Sequence, residues 1–99
     1  MNILEALCSA QRALLETVTP NLRVCVLDIV GEGNYHLYFY FAQPLSEEEG
    51  ELVSLAYTYF AADFPFEYKI DCTIEVLPMP QKIPDFGRCV YARYEGDLD

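Results

Sequence analysis

The stretch LRVCVLDIVGEGNYHLYFYF, residues 22–41, decides the fold. Residues 22–30 are mainly β-branched and apolar, and residues 35–41 are mainly aromatic. Between these two runs lie Gly31, Glu32, Gly33 and Asn34, which are turn-forming residues. Two strand-like runs joined by a short turn predict a β-hairpin over residues 22–41.

Two helices are predicted on either side of this hairpin, and each begins with a capping box. The boxes are Asn2 with Glu5 and Ser46 with Glu49. In a capping box the first side chain and a Glu three residues later satisfy each other's backbone amides at the start of a helix. Apolar residues then recur with helical spacing, and a proline follows the end of each run. We therefore predict helices over about residues 2–16 and 46–63.

Two further strands are predicted in the second half of the chain. Residues 67–77 alternate apolar and polar side chains, which is typical of a half-buried strand. A proline-rich loop over residues 78–87 leads to a last strand at about residues 88–95, and the tail from Glu95 onward is expected to fray.

The element order is α-β-β-α-β-β, in one domain spanning residues 1–99. The fold class is α+β. We expect the two helices to pack on one face of a mostly antiparallel sheet of about four strands, because both strand pairs have hairpin-like connections. The order of the strands in the sheet stays open, since the two hairpins can join through either edge.

The second face of such a sheet is either solvated or covered by a partner. Tyrosine combines a large contact area with a polar hydroxyl, and carboxylates suit the Lys and Arg of a partner. Strand alternation and the acidic start of the second helix indicate the candidate contact residues. They are His36, Tyr38, Tyr40, Glu47, Glu48, Asp71, Glu75 and Tyr91. The alternative is an ordinary solvated sheet.

The charge of the chain narrows the class of partner. Sixteen acidic residues against six basic ones give a net charge of −10. That field repels phosphate backbones and anionic lipids, so we expect no direct binding of nucleic acid or membrane. A basic protein is the complementary partner. Solubility alone is the other explanation of the charge.

Catalytic and cofactor-binding patterns are not found in the sequence. The single histidine, His36, has no nucleophile at a suggestive spacing and no second histidine with which to start a metal site. The glutamates of residues 47–51 lie in a predicted helical turn and not in a calcium loop. We predict no enzyme activity, no cofactor and no metal. Paired carboxylates stay open as the alternative, because sixteen acids allow spatial pairings that the sequence does not reveal.

The cysteines and the N-terminus bear on the compartment. Cys8, Cys25, Cys72 and Cys89 contain no C-x-x-C pair, which favours reduced thiols in the core over disulfides or a zinc site. The apolar run at the N-terminus carries Glu5 and is interrupted by charge, unlike a signal peptide or membrane span. These features predict a cytoplasmic protein.

Five stretches together resemble small acidic bacterial immunity proteins, which accompany contact-dependent growth inhibition and related polymorphic toxins. They are residues 19–23 (TPNLR), 37–41 (LYFYF), 45–49 (LSEEE), 62–65 (ADFP) and 90–93 (VYAR). The resemblance runs from about residue 14 to residue 95. It implies a protein that binds the C-terminal domain of its cognate toxin, often a basic nuclease, and blocks the active site or substrate surface.

Two functional hypotheses follow. The first is an immunity protein that neutralises a basic toxin domain. The second is an adaptor or structural protein that pairs with itself, as a homodimer, through an exposed strand edge or the aromatic sheet face. Calorimetric titration against the toxin domain and sedimentation of the protein alone discriminate between them.

Overall fold

The structure is a computed structural model and describes residues 2–95. Its helices and strands follow the predicted order. They are α1 (Ile3–Ala13), β1 (Leu22–Gly31), β2 (Asn34–Phe41), α2 (Glu47–Ala62), β3 (Lys69–Val76) and β4 (Arg88–Ala92). Both predicted capping residues are used: the Asn2 side chain accepts from the Glu5 amide, and Ser46 forms a complete capping box with Glu49. The α+β prediction is confirmed.

The four strands form one mixed sheet in the order β3-β2-β1-β4. β1 pairs antiparallel with β2 on one side and with β4 on the other, which confirms the hairpin over residues 22–41. β2 and β3 pair in parallel. A parallel pair needs a long connection, and α2 supplies it.

The expected second hairpin, between the third and fourth strands, is wrong. β3 and β4 lie on opposite edges of the sheet, with β2 and β1 between them. The loop over residues 77–87 therefore crosses the sheet. Alternating apolar and polar residues predict that a segment is a strand, but they do not predict which strand it pairs with. Here the pairing is decided by α2, which returns the chain to lie beside β2.

Both helices pack on one face of the sheet. The shared core combines small residues of α1 with aromatic and aliphatic residues of β1 and β2 and an apolar row of α2, such as Ala10, Leu37 and Phe60. Not every apolar residue of this segment is buried, since Leu4 in α1 and Leu15 just after it are each 69% exposed. The buried stripe of α1 is made of small side chains, which let the helix lie close to the sheet.

The crossing loop lies against the sheet face opposite the helices, which we call the outer face. Phe86 packs edge-on against Tyr38, with ring centroids 4.8 Å apart. Gly87 has a φ of 63°, and a Cβ there would lie 2.8 Å from Cγ1 of Val26. Gly87 therefore meets two demands, a left-handed backbone and a close approach to β1.

A buried arginine holds this loop to the C-terminal segment. The Arg23 guanidinium donates from Nη1 to the Leu77 and Gln81 carbonyl oxygens at 2.7 and 2.8 Å, and from Nε and Nη2 to the Glu95 carboxylate at 2.7 and 2.9 Å. Arg93 also donates to Glu95. The prediction that the tail frays from Glu95 onward is wrong for Glu95 itself, because Arg23 and Arg93 both donate to its carboxylate. Residues 96–99 lie outside the described residues.

The cysteines are free thiols, as predicted, but they are not all core residues. Cys25 is buried and Cys72 is half-buried, whereas Cys8 and Cys89 are exposed. Cys8 lies on the outward side of α1, and Cys89 lies on the short edge strand β4. Burial is the main cause that raises the pKa of the Cys72 thiol to about 11.

Candidate interaction surface

Five of the predicted contact residues share the outer face. In the register of β2 with β3, His36 lies beside Asp71, and Tyr40 lies beside Glu75. Tyr38 lies beside Thr73 between these two pairs. The prediction that these side chains share a face is confirmed. Their contact with a partner stays a prediction.

The β2 side chains of this face form an ordered aromatic ladder. The rings of His36 and Tyr38 stack with centroids 4.2 Å apart and planes 10° apart, and Tyr38 and Tyr40 lie parallel at 6.4 Å. The His36 Nε2 atom lies 2.6 Å from the Thr73 hydroxyl oxygen. Stacking on Tyr38 and this hydrogen bond to Thr73 hold the imidazole in place within the ladder.

Tyr40 is not available to a partner in this structure. It was expected to be exposed on the outer face, but it is 3% exposed. Burial, with the nearby Glu75 charge as a second cause, raises the pKa of its phenol. The crossing loop begins next to Tyr40, where the Leu77 amide donates to the Phe41 carbonyl, and its Phe86 packs on the neighbouring Tyr38. The sequence did not indicate this path because the loop joins strands on opposite edges of the sheet.

The remaining predicted residues lie elsewhere. Glu47 and Glu48 are exposed in the first turn of α2, in the helix layer. Tyr91 lies on β4 at the far edge of the sheet and packs against the core. The predicted set is therefore three separate regions and not one surface.

The neighbouring Glu49 has a structural role. Its carboxylate accepts from the Ser46 amide at 3.0 Å and from the Thr19 hydroxyl at 2.7 Å. These hydrogen bonds, with the Ser46 amide first, hold the pKa of Glu49 below its usual value. Glu49 thus joins α2 to the segment before β1 and is not free for a partner.

A feature that the sequence did not indicate is the outer edge of β3. The amides of Lys69 and Leu77 donate to Gly33 and Phe41 of the β2 side. Backbone groups alternate sides along a strand, so the odd-numbered residues of β3 point to β2 and the even-numbered ones point away. The Tyr57 hydroxyl donates to the outward carbonyl of Ile70 at 2.7 Å, which agrees with this alternation.

Beyond Ile70, the outward amides and carbonyls belong to Cys72, Ile74 and Val76, which we call the β3 edge. Within residues 2–95 no strand pairs with this side of the sheet. Ile74 and Val76 are 43% and 42% exposed. The β3 edge thus offers main-chain donors and acceptors beside apolar side chains.

A groove runs between α2 and β3, with a volume of about 480 Å³. Its lining residues are Val53, Ser54, Tyr57, Thr58, Ile70, Asp71, Cys72 and Ile74. Ser54 and Thr58 also line a shallower surface of α2 that includes Glu47 and Glu51. Carboxylates therefore lie on both sides of the groove, on α2 and on β3.

Most carboxylates are without a basic neighbour. Within residues 2–95 only Asp63, Asp71 and Glu95 form ion pairs. The pair of Asp71 with Lys69 is long, at 3.8 Å, and both side chains are well exposed. The exposed acids of α2 and Glu75 contribute an uncompensated negative field around the groove.

Metal binding and membrane spanning find no support in the described part of the chain. No group of three His, Cys, Asp or Glu residues in it is placed to hold a metal ion. No helix between residues 2 and 95 has the length and apolar character needed to cross a membrane.

Comparison with known proteins yields one family. The sequence model of a family described as "MafI2 immunity protein" matches residues 4–95, which is most of the chain. No curated protein matches the chain.

Proposed function

Because the chain belongs to the MafI2 immunity protein family, we propose that it neutralises its toxin by binding a basic, nuclease-type toxin domain and occluding the active site. Membership of the family makes the protein a non-enzymatic inhibitor, whose cognate toxin is a MafB toxin. The basic character of the toxin, its nuclease activity and the mode of inhibition are the proposed part.

One observation carries this proposal: carboxylates lie on both sides of the α2–β3 groove, and of these only Asp71 has a basic neighbour within residues 2–95, the exposed Lys69 at 3.8 Å. Glu47 and Glu51 lie on the α2 side, and Asp71 and Glu75 lie on the β3 side. Nucleases that bind phosphate backbones carry Lys and Arg at their substrate surface. An acidic surface that binds there competes with the nucleic acid for the same positive charges, and inhibition follows from occlusion.

The setting of this neutralisation is the cytoplasm of the cell that makes the protein, in a contact-dependent growth inhibition or related polymorphic toxin system. The support is the net charge of −10, the free thiols and the likeness to immunity proteins of those systems.

The experiment is a calorimetric titration against the C-terminal domain of the toxin encoded by the gene immediately upstream, at low and high salt. We expect nanomolar binding that weakens as salt rises, because salt screens charges beyond about 8–10 Å. Binding of equal strength at both salt concentrations rejects the electrostatic part. Absence of binding at micromolar concentrations rejects this pairing.

The unpaired β3 edge favours a second candidate, a protein that self-associates through that edge. Sedimentation of the protein alone tests it. A stable dimer whose formation hides the β3 edge supports self-association. A monomer at concentrations well above the toxin affinity rejects it.

A further inference from the structure

The β3 edge is a long unpaired strand with few of the usual protections. Natural edge strands are shielded by charged side chains, prolines, bulges or a covering segment, and β3 carries the charged side chains of Lys69, Asp71 and Glu75. β3 spans eight residues and pairs without interruption with β2. Only one outward group, the Ile70 carbonyl, has a partner in the described chain, the Tyr57 hydroxyl. The outward groups of Cys72, Ile74 and Val76 remain open for a further strand.

An added strand would place its side chains in two different environments. Successive side chains of a strand point to opposite faces of the sheet. On the helix side they would enter the groove beside Cys72 and Ile74, which is lined largely by apolar atoms of α2 and β3. On the outer face they would lie beside Asp71 and Glu75. The complementary strand therefore alternates apolar with Lys or Arg residues.

We propose that the β3 edge binds an extended segment of the cognate toxin by β-sheet addition, with apolar side chains in the α2–β3 groove and basic side chains beside Asp71 and Glu75. This inference rests on the proposed function and deepens it. Main-chain hydrogen bonds give affinity in such complexes, and alternate side chains give specificity. The Tyr57 hydroxyl limits the pairing to the part of β3 that follows Ile70.

Charge favours a basic partner over a second copy of this chain. If two copies paired antiparallel through β3 with Thr73 at the centre, Asp71 of each copy would oppose Glu75 of the other. Like charges directly opposite each other destabilise a strand pair. Two chains of net charge −10 also repel at long range. A toxin strand with Lys and Arg at these positions reverses both effects.

The test uses one position, Ile74, whose amide points away from β2. Ile74→Pro removes that amide and blocks close approach of a strand, and proline is tolerated where the amide of an edge strand faces solvent. Ile74→Val keeps the amide and most of the side chain and is the matched control. Ile74→Lys keeps the amide but places a cation in the groove. The Ile74 side chain of the wild type is 43% exposed, so the Ile74→Lys variant is expected to fold.

Each variant is titrated calorimetrically with the same toxin C-terminal domain, after circular dichroism and urea unfolding confirm its fold. We expect Ile74→Pro and Ile74→Lys to weaken binding at least about tenfold, and Ile74→Val to bind like the wild type. Should Ile74→Pro fail to fold, Ile74→Lys decides. Wild-type affinity in a folded Ile74→Pro or Ile74→Lys variant overturns strand addition but leaves the proposed function intact. A wild-type protein that does not bind the toxin overturns both.

Discussion

Arg23 with its partners Leu77, Gln81 and Glu95, which we call the Arg23 cluster, differs from the β3 edge in whether its backbone polar groups have hydrogen-bond partners. At the Arg23 cluster, the carbonyls of Leu77 and Gln81 in the crossing loop are satisfied by one buried guanidinium, which Glu95 neutralises. At the β3 edge, backbone groups of comparable polarity have no strand partner within residues 2–95. The chain uses a buried charge to complete its own fold at the Arg23 cluster and leaves the β3 edge open, and this difference supports our proposal that the toxin binds at the β3 edge.

The largest effect is expected from a substitution that disrupts the Arg23 cluster. Arg23→Met removes four hydrogen bonds and leaves the Glu95 carboxylate with Arg93 alone. We expect the free energy of unfolding to fall by about 3–5 kcal/mol, since removal of one partner leaves a buried charge poorly compensated. Urea unfolding monitored by circular dichroism measures it.

Arg93→Met is the matched control, because it removes a more exposed arginine from the same carboxylate. Its expected cost is about 1 kcal/mol. If Arg23→Met and Arg93→Met lowered the free energy of unfolding equally, the buried Arg23 guanidinium would not be the main stabilising group of the Arg23 cluster.

Acid titration gives a smaller effect in the same region. The hydrogen bond from Arg23 is the main cause that holds the pKa of Glu95 below its ordinary value of 4.5. A carboxyl with a lowered pKa in the folded protein stabilises the fold above its unfolded pKa, and that stabilisation is lost as the pH falls through the folded pKa. Stability should therefore fall as the pH drops below about 4.5.

The Glu95→Gln variant tests this assignment. It is less stable than the wild type at pH 7, because Arg23 loses its counter-ion. Its further loss of stability between pH 7 and pH 3 is smaller than that of the wild type. Urea unfolding at both pH values measures the difference. An unchanged loss between the two pH values means that other carboxylates cause the acid sensitivity.

The smallest effect is expected from removing acidic side chains beside the α2–β3 groove. The double variant Glu47→Gln/Glu51→Gln removes two exposed charges beside the groove. We expect the rate of association with the toxin to fall about threefold at low salt, because charges at the rim of an interface act mainly on encounter. Stopped-flow mixing measures this rate. We expect the free energy of unfolding to change by less than about 0.5 kcal/mol.

The matched control is Glu16→Gln/Glu32→Gln, which removes two exposed acids outside the groove. Both double variants change the net charge by the same amount. Equal loss of rate would assign the steering to net charge as a whole, and the groove would lose its special role.

Local patterns in the sequence predicted much of the fold. The turn at residues 31–34 and the two capping boxes act within a few residues of themselves, and the structure confirms them. The pairing of β3 failed because strand order depends on contacts across the whole chain. The four-residue turn at residues 31–34 forms a hairpin, whereas the ten-residue, proline-rich connection over residues 78–87 joins strands on opposite edges of the sheet.

The candidate surface was predictable in part for the same reason. Alternation along the strands placed His36, Tyr38 and Asp71 on one face, which the register confirms. The contact of Phe86 with Tyr38 and the hydrogen bonds of Arg23 join residues that are far apart in the sequence. Local sequence patterns do not predict such long-range contacts. The unpaired edge of β3 likewise becomes apparent only once the strand order is known.

The most direct test of strand addition is residue-resolved amide hydrogen exchange of the wild-type protein, free and bound to the toxin C-terminal domain. In the free protein, the amides of Asp71, Thr73 and Glu75 donate toward β2 and should be protected, whereas those of Cys72, Ile74 and Val76 should exchange rapidly. In the complex, we predict new protection at Cys72, Ile74 and Val76. A stable complex in which these three amides still exchange rapidly would contradict binding at the β3 edge.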